Sequence, residues 1–200
     1  MRSAEEIRAG KLSTLQSVLV RPGMWGGGFM YEAAVRGVLQ DLAFIDEREP
    51  QLEREIDDLR AQRLCSNTGV QGVLAQLDED EWVVTHRTAS VYARVAAQLG
   101  YFQPSRRLTA QEWVRAKRDA SAWARRAPRT STDVTARLGP PSYECAGQWP
   151  PVLGYAGPGN DAWLYFDFPN GGAERPLEFV RLPRRPFARC VIDLRETDRA

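Results

Sequence analysis

Histidine occurs once in this 200-residue chain, at His86, and the three cysteines, Cys65, Cys145 and Cys190, form no CxxC pair. One imidazole and three scattered thiols are too few, at the wrong spacing, for a structural zinc site. An odd number of thiols makes no disulfide framework and fits a reducing, cytoplasmic setting. HExxH and GxSxG are absent, which removes the commonest metalloprotease and hydrolase signatures. A thiolate–imidazole pair of Cys65 or Cys145 with His86 has no surrounding motif to support it. No stretch approaches about 18 consecutive apolar residues, so no membrane-spanning helix is expected, and residues 1–8 lack the apolar run of a secretory leader. Lysine is scarce as well: of 27 basic residues only Lys11 and Lys117 are lysines, an arginine bias typical of GC-rich bacterial genomes such as those of actinobacteria. The net charge of +1 names no partner. From these absences no catalytic residue, no metal and no cofactor is assigned.

What is present is the composition of a folded protein, with 43% apolar and 26% charged residues. Tyr31, Val35, Val38, Leu42, Ile45, Leu52, Ile56 and Leu59 recur at steps of 4, 3, 4, 3, 7, 4 and 3, which places them on one helical stripe. Pro50 interrupts it, because proline inside a helix removes a donor and clashes with the preceding turn, so two helices are expected with Pro50 first in the second. Such a stripe buries within a domain or forms a dimer seam; Pro50 rules out the unbroken heptads of a coiled coil. Residues 41–60 carry eight acids against Arg48, Arg54 and Arg60, a solvated acidic face.

Further helices are expected in residues 1–19, 70–77 and 82–99, the last ended by Gly100 and carrying His86 as a structural residue. The run Asp78-Glu79-Asp80-Glu81 either stops one helix or starts the next. Thr109-Ala110-Gln111-Glu112 is a capping box that opens a helix with Trp113, Ala116, Ala120 and Trp123 on one face. Residues 105–130 are strongly basic; Arg115, Arg118, Arg125 and Arg126 are candidate contacts to an acidic protein or to a nucleic-acid backbone, with the acidic 41–60 stretch as an internal counterpart.

After residue 128 the pattern changes. A short helix over 132–138 is stopped by Gly139-Pro140-Pro141, and the rest reads as strands. The clearest runs from 162 to 168, with Leu164, Phe166 and Phe168 facing one way and Trp163, Tyr165 and Asp167 the other. Asn170-Gly171 signals a hairpin that returns 177–182 antiparallel to it, and 143–146, 152–155 and 187–194 complete a meander. The fold class is α+β: an N-terminal part of four to six helices, residues 1–127, packed against a C-terminal antiparallel sheet of four or five short strands, residues 128–200, as one compact unit.

Two stretches carry resemblances. Arg21-Pro22-Gly23-Met24-Trp25-x-Gly27 before a helix resembles the opening of small bacterial proteins, often of immunity type, found beside polymorphic toxins. It is also similar to the RPGMYIG segment of the type II topoisomerase ATPase subunit; there the next helix brings a Glu and an Asn to ATP and magnesium, whereas here residues 31–45 contain no asparagine and only Glu32 and Asp41 as acids. Val134-x-x-Arg137-Leu138-Gly139-Pro140-Pro141-Ser142 and the strands after it resemble helix-then-meander binding modules of the outer-membrane lipoprotein assembly family, which carry no catalytic residues.

The leading expectation is a non-enzymatic module that binds another protein. A small-molecule binder or small enzyme would place its pocket near Trp25, Trp163, Tyr165 and Asp167, and nucleic-acid binding would use the 105–130 helix. Trp149, in Gln148-Trp149-Pro150-Pro151, is expected at the surface as a contact residue. Self-association through residues 31–59 is an open alternative.

Overall fold

The protein is described from a computed structural model that places residues 3–145, 151–159, 162–169, 175–182 and 191–195. The chain divides into two compact units, residues 1–103 and 104–200. The first carries fifteen acidic and eleven basic side chains, the second sixteen basic and eleven acidic, so the charge segregation of the sequence is a property of whole units.

Unit one is helical: α1 (Ala4–Val20), a 3-10 turn (Pro22–Trp25), α2 (Gly28–Ile45), α3 (Glu49–Ala61), α4 (Gly69–Leu74) and α5 (Glu81–Gln98). Ser3 and Glu6 form a capping box at the start of α1. The expected stripe is buried at Tyr31, Val35, Val38, Leu42, Leu52, Ile56 and Leu59. Pro50 sits second in α3 rather than first; either position suits it, because first-turn N–H groups have no intrahelical acceptor. The acidic run starts α5 and does not end α4: Asp80 Oδ1 accepts from the N–H groups of Trp82 and Val83. Gly100 follows α5 at φ +76°, the left-handed stop that glycine allows.

The most buried helix is α5, not the 31–59 pair, since every residue from Val83 to Ala97 is buried. Its period is masked by polar side chains that bond their own helix, as Thr88 Oγ1 donates to Val84 O at 2.8 Å and Ser90 Oγ to Arg87 O at 2.6 Å.

Unit two contains α6 (Ala110–Ala122), α7 (Ser131–Leu138) and five strands, β1 (Tyr143–Glu144), β2 (Val152–Ala156), β3 (Trp163–Asp167), β4 (Phe179–Arg181) and β5 (Val191–Asp193). They form an antiparallel meander in sequence order. The unit boundary at 103/104 puts α6 with the sheet instead of with the helices before residue 127: Trp113, Ala116, Ala120 and Ala124 pack on Leu153, Tyr155, Leu164, Phe166 and Val180, with Val134 of α7. Two capping boxes hold these helices, Thr109 with Glu112 and Thr130 with Asp133. The Asn170-Gly171 turn lies outside the described residues.

Candidate functional site

The sheet residues singled out in the sequence are buried. Trp163 is fully buried and stacks on Tyr165 with centroids 5.9 Å apart. Arg181, opposite Tyr165 in the ladder, covers that ring at 4.4 Å and takes both carboxylate oxygens of Asp167. With both residues at most 4% exposed, Asp167 is engaged in a closed ion pair rather than poised for acid–base work. Trp149 lies outside the described residues.

The basic stretch divides by role. Arg106 donates to Glu112 Oε1 at 2.9 Å, Arg107 to the carbonyls of Gly157 and Gly159, and Arg129 stacks over Trp123 at 4.6 Å. Arg115 and Arg118 lie with Val114 on the exposed side of α6, while Arg125 and Arg126 line a cleft of about 320 Å³ with Glu178 and Arg195.

The thiols and the imidazole are separately engaged. Cys65 donates to Ser66 O at 3.7 Å and His86 Nδ1–H to Trp82 O at 2.7 Å, and no hydrogen bond joins them among the described residues. Burial lowers the His86 pKa, so the ring is neutral at pH 7 and lies 3.8 Å from the Trp82 ring. Burial pushes the Cys145 thiol up to about 12 and the Cys65 thiol upward, the reverse of an activated nucleophile.

Of the predicted aromatic contact residues within the described residues, Trp25 stands at the surface, and it has company. The turn holding it depends on glycine: Gly26 and Gly28 take φ +91° and +60°, which only glycine adopts freely. Gly28 N–H donates to Thr85 Oγ1 at 3.3 Å, and the Gln71 carboxamide, in the orientation that satisfies both its ends, bonds the Gly28 carbonyl and N–H. The Glu81 carboxylate lies against Gly27 and Gly28, so the positive end of α2 already faces an acid from its own chain instead of an open phosphate cradle.

Around this turn stand large exposed apolar side chains: Met24 (73% exposed), Phe29 (63%), Met30 (75%), and the half-exposed Trp25 and Trp82. The Trp82 indole lies beside Gly23 and Met30 beside Gly26, which brings the starts of α5 and α2 next to the turn that holds Met24 and Trp25, and Trp25 Nε1 donates to Ser17 Oγ at 3.3 Å. The sequence reading missed Met24, Phe29, Met30 and Trp82. The signal was there: Phe29 and Met30 fall off the 31-35-38-42 stripe, so a helix that buries the stripe must expose them. Among the described residues no group of three or more His, Cys, Asp or Glu side chains stands together as a metal site, and no helix is long and apolar enough to cross a membrane. Compared with protein-family models, with curated proteins and with solved structures, the chain matches none.

Proposed function

We propose that this chain is a protein-interaction module, of the immunity or neutralising type that residues 21–27 resemble, and that the surface around Met24, Trp25, Phe29, Met30 and Trp82 binds the partner. The observation that carries this reading is the exposure of five large apolar side chains around the 22–28 turn, two on the turn itself, two at the start of α2 and one at the start of α5. Isolated exposed apolar residues are ordinary, but five gathered around one turn are a solubility cost that a partner offsets by covering them. Tryptophan and methionine are enriched at interface cores, and a turn fixed by Thr85, Gln71 and two left-handed glycines loses little conformational entropy on binding. The closed Asp167–Arg181 pair weighs against the alternative of a catalytic pocket on the aromatic sheet face.

The test compares wild type with a Phe29→Glu/Met30→Glu double variant in affinity purification from the native cell, with both proteins checked by thermal unfolding. A stoichiometric protein held by wild type and lost from the double variant is the expected result. Equal recovery with both would sink the reading. A second reading, binding to nucleic acid, draws on Arg115 and Arg118 on the exposed side of α6; it requires nucleic acid in the eluate whose retention falls steeply with salt.

A further inference from the structure

Between α2 and α3 lies a cleft of about 410 Å³, within the size range of small-molecule sites, about 300–1,000 Å³. Its floor is apolar: Leu39 from α2, Leu52 and Ile56 from α3, and the ring of Tyr92 from α5. Tyr92 is anchored from behind, its hydroxyl donating to the buried Glu32 at 2.6 Å, so the floor does not collapse into the cleft.

The walls carry separated charge. A three-residue turn, residues 46–48, reverses the chain between the helices, which brings Arg36 to the end of the cleft occupied by Arg60 and leaves Glu49 and Glu53 nearer the turn. Arg60 is paired with Asp57 at 2.8 Å. The half-buried Arg36 and the exposed Glu49 and Glu53 have no hydrogen bond or ion pair among the described residues. A lone cation at one end and two lone carboxylates at the other, over an apolar floor, match a ligand with the opposite polarity.

We infer that this cleft binds a small dipolar molecule, a carboxylate and an ammonium group joined by an aliphatic body, as in a short peptide carrying a basic residue. The carboxylate meets Arg36, the ammonium group meets Glu53 or Glu49, and the aliphatic part covers Leu39, Leu52 and Ile56. Arg36 lies nine residues before the end of α2 and Glu53 four after the start of α3, so in this antiparallel pair they are offset by about 8 Å along the helices, which sets the scale of the distance between the ligand's charges. A lysine side chain followed by one more residue spans that distance. This site is independent of the surface around Trp25, and neither proposal needs the other.

The dipeptide lysyl-leucine is the probe, titrated by calorimetry into the full chain at low salt, with lysyl-leucinamide and acetyl-leucine as controls. Saturable one-to-one binding is expected, with a Kd on the order of 0.1–1 mM for a ligand of this size. Removing the carboxylate, as in lysyl-leucinamide, weakens binding about tenfold or more, the effect of one charge-assisted hydrogen bond. Arg36→Gln removes the difference between the acid and the amide. Glu49→Gln/Glu53→Gln weakens lysyl-leucine by a similar factor and leaves acetyl-leucine unchanged. All three substituted positions are on the cleft wall rather than in the core, and matching melting temperatures verify folding. No saturable binding up to about 10 mM, or affinities that none of these variants changes, overturns the inference.

Discussion

Arg181 on β4 meets Asp167 on β3 through two parallel hydrogen bonds, Nε to Oδ2 at 2.7 Å and Nη2 to Oδ1 at 2.9 Å. Both side chains are buried, so each is the other's compensation for leaving water. Asp167→Asn strands the arginine and should destabilise the protein by about 3–5 kcal/mol in urea unfolding. Replacing both, Asp167→Leu with Arg181→Met, should cost much less, since no buried charge is left unpaired. Equal losses for the single and double variants would show that packing of the pair, not its charge, stabilises the sheet.

Two glycines of one helix should respond in opposite directions to alanine. Gly28 sits at φ +60° with Glu81 and Gln71 crowding the place a Cβ would take, so Gly28→Ala should cost about 1–3 kcal/mol. Gly37, in the interior of α2, has nothing within 4 Å of that place; Gly37→Ala should add about 0.5–1 kcal/mol through helix propensity. Thermal unfolding of the two variants reads both signs.

Tyr92 and Glu32 form a buried unit in which the carboxylate accepts the Tyr92 hydroxyl at 2.6 Å and the N–H groups of Val70 and Gln71, each at 2.9 Å. Tyr92→Phe removes one donor and should cost about 1–3 kcal/mol. Glu32→Ala leaves three buried donors without an acceptor and should cost more. The reverse order in denaturant unfolding would mean that the tyrosine, not the carboxylate, organises this part of unit one.

His86 sets a pH dependence of definite sign. Burial lowers its folded pKa below the ordinary 6.5, so the unfolded chain binds the extra proton first. Stability is therefore complete above about pH 7 and falls as the pH drops through 6.5 toward the lower folded value. Melting temperatures between pH 7.5 and pH 5.5 should fall more steeply in wild type than in His86→Gln; parallel curves would contradict the neutral buried ring.

Much of this fold was readable from local chemistry. The Thr109–Glu112 capping box, the Gly100 stop, the buried stripe from Tyr31 to Leu59 and the pairing of 162–168 with 177–182 follow from side-chain period and from which residues satisfy orphan backbone groups. The placement of α6 did not, because an amphipathic helix states that one face is buried but not against which element, and the sheet that covers Trp113 and Ala116 lies far along the chain. The central role of α5 was hidden for a related reason: its polar side chains read as surface until their bonds back to the helix are seen.

For function the division is sharper. The sequence by itself determined that metal-site and common hydrolase signatures are absent and that Trp25 sits in a glycine-built turn, since both depend only on residue identity and spacing. Only the tertiary structure decided that Asp167 is paired with Arg181, that Trp163 is core, and that Met24, Phe29, Met30 and Trp82 stand exposed. It alone produced the cleft that Arg36, Glu49 and Glu53 line together with Leu39, Leu52 and Ile56. Burial and charge pairing are properties of neighbours in space, and a chain of 200 residues brings together partners that no local pattern names.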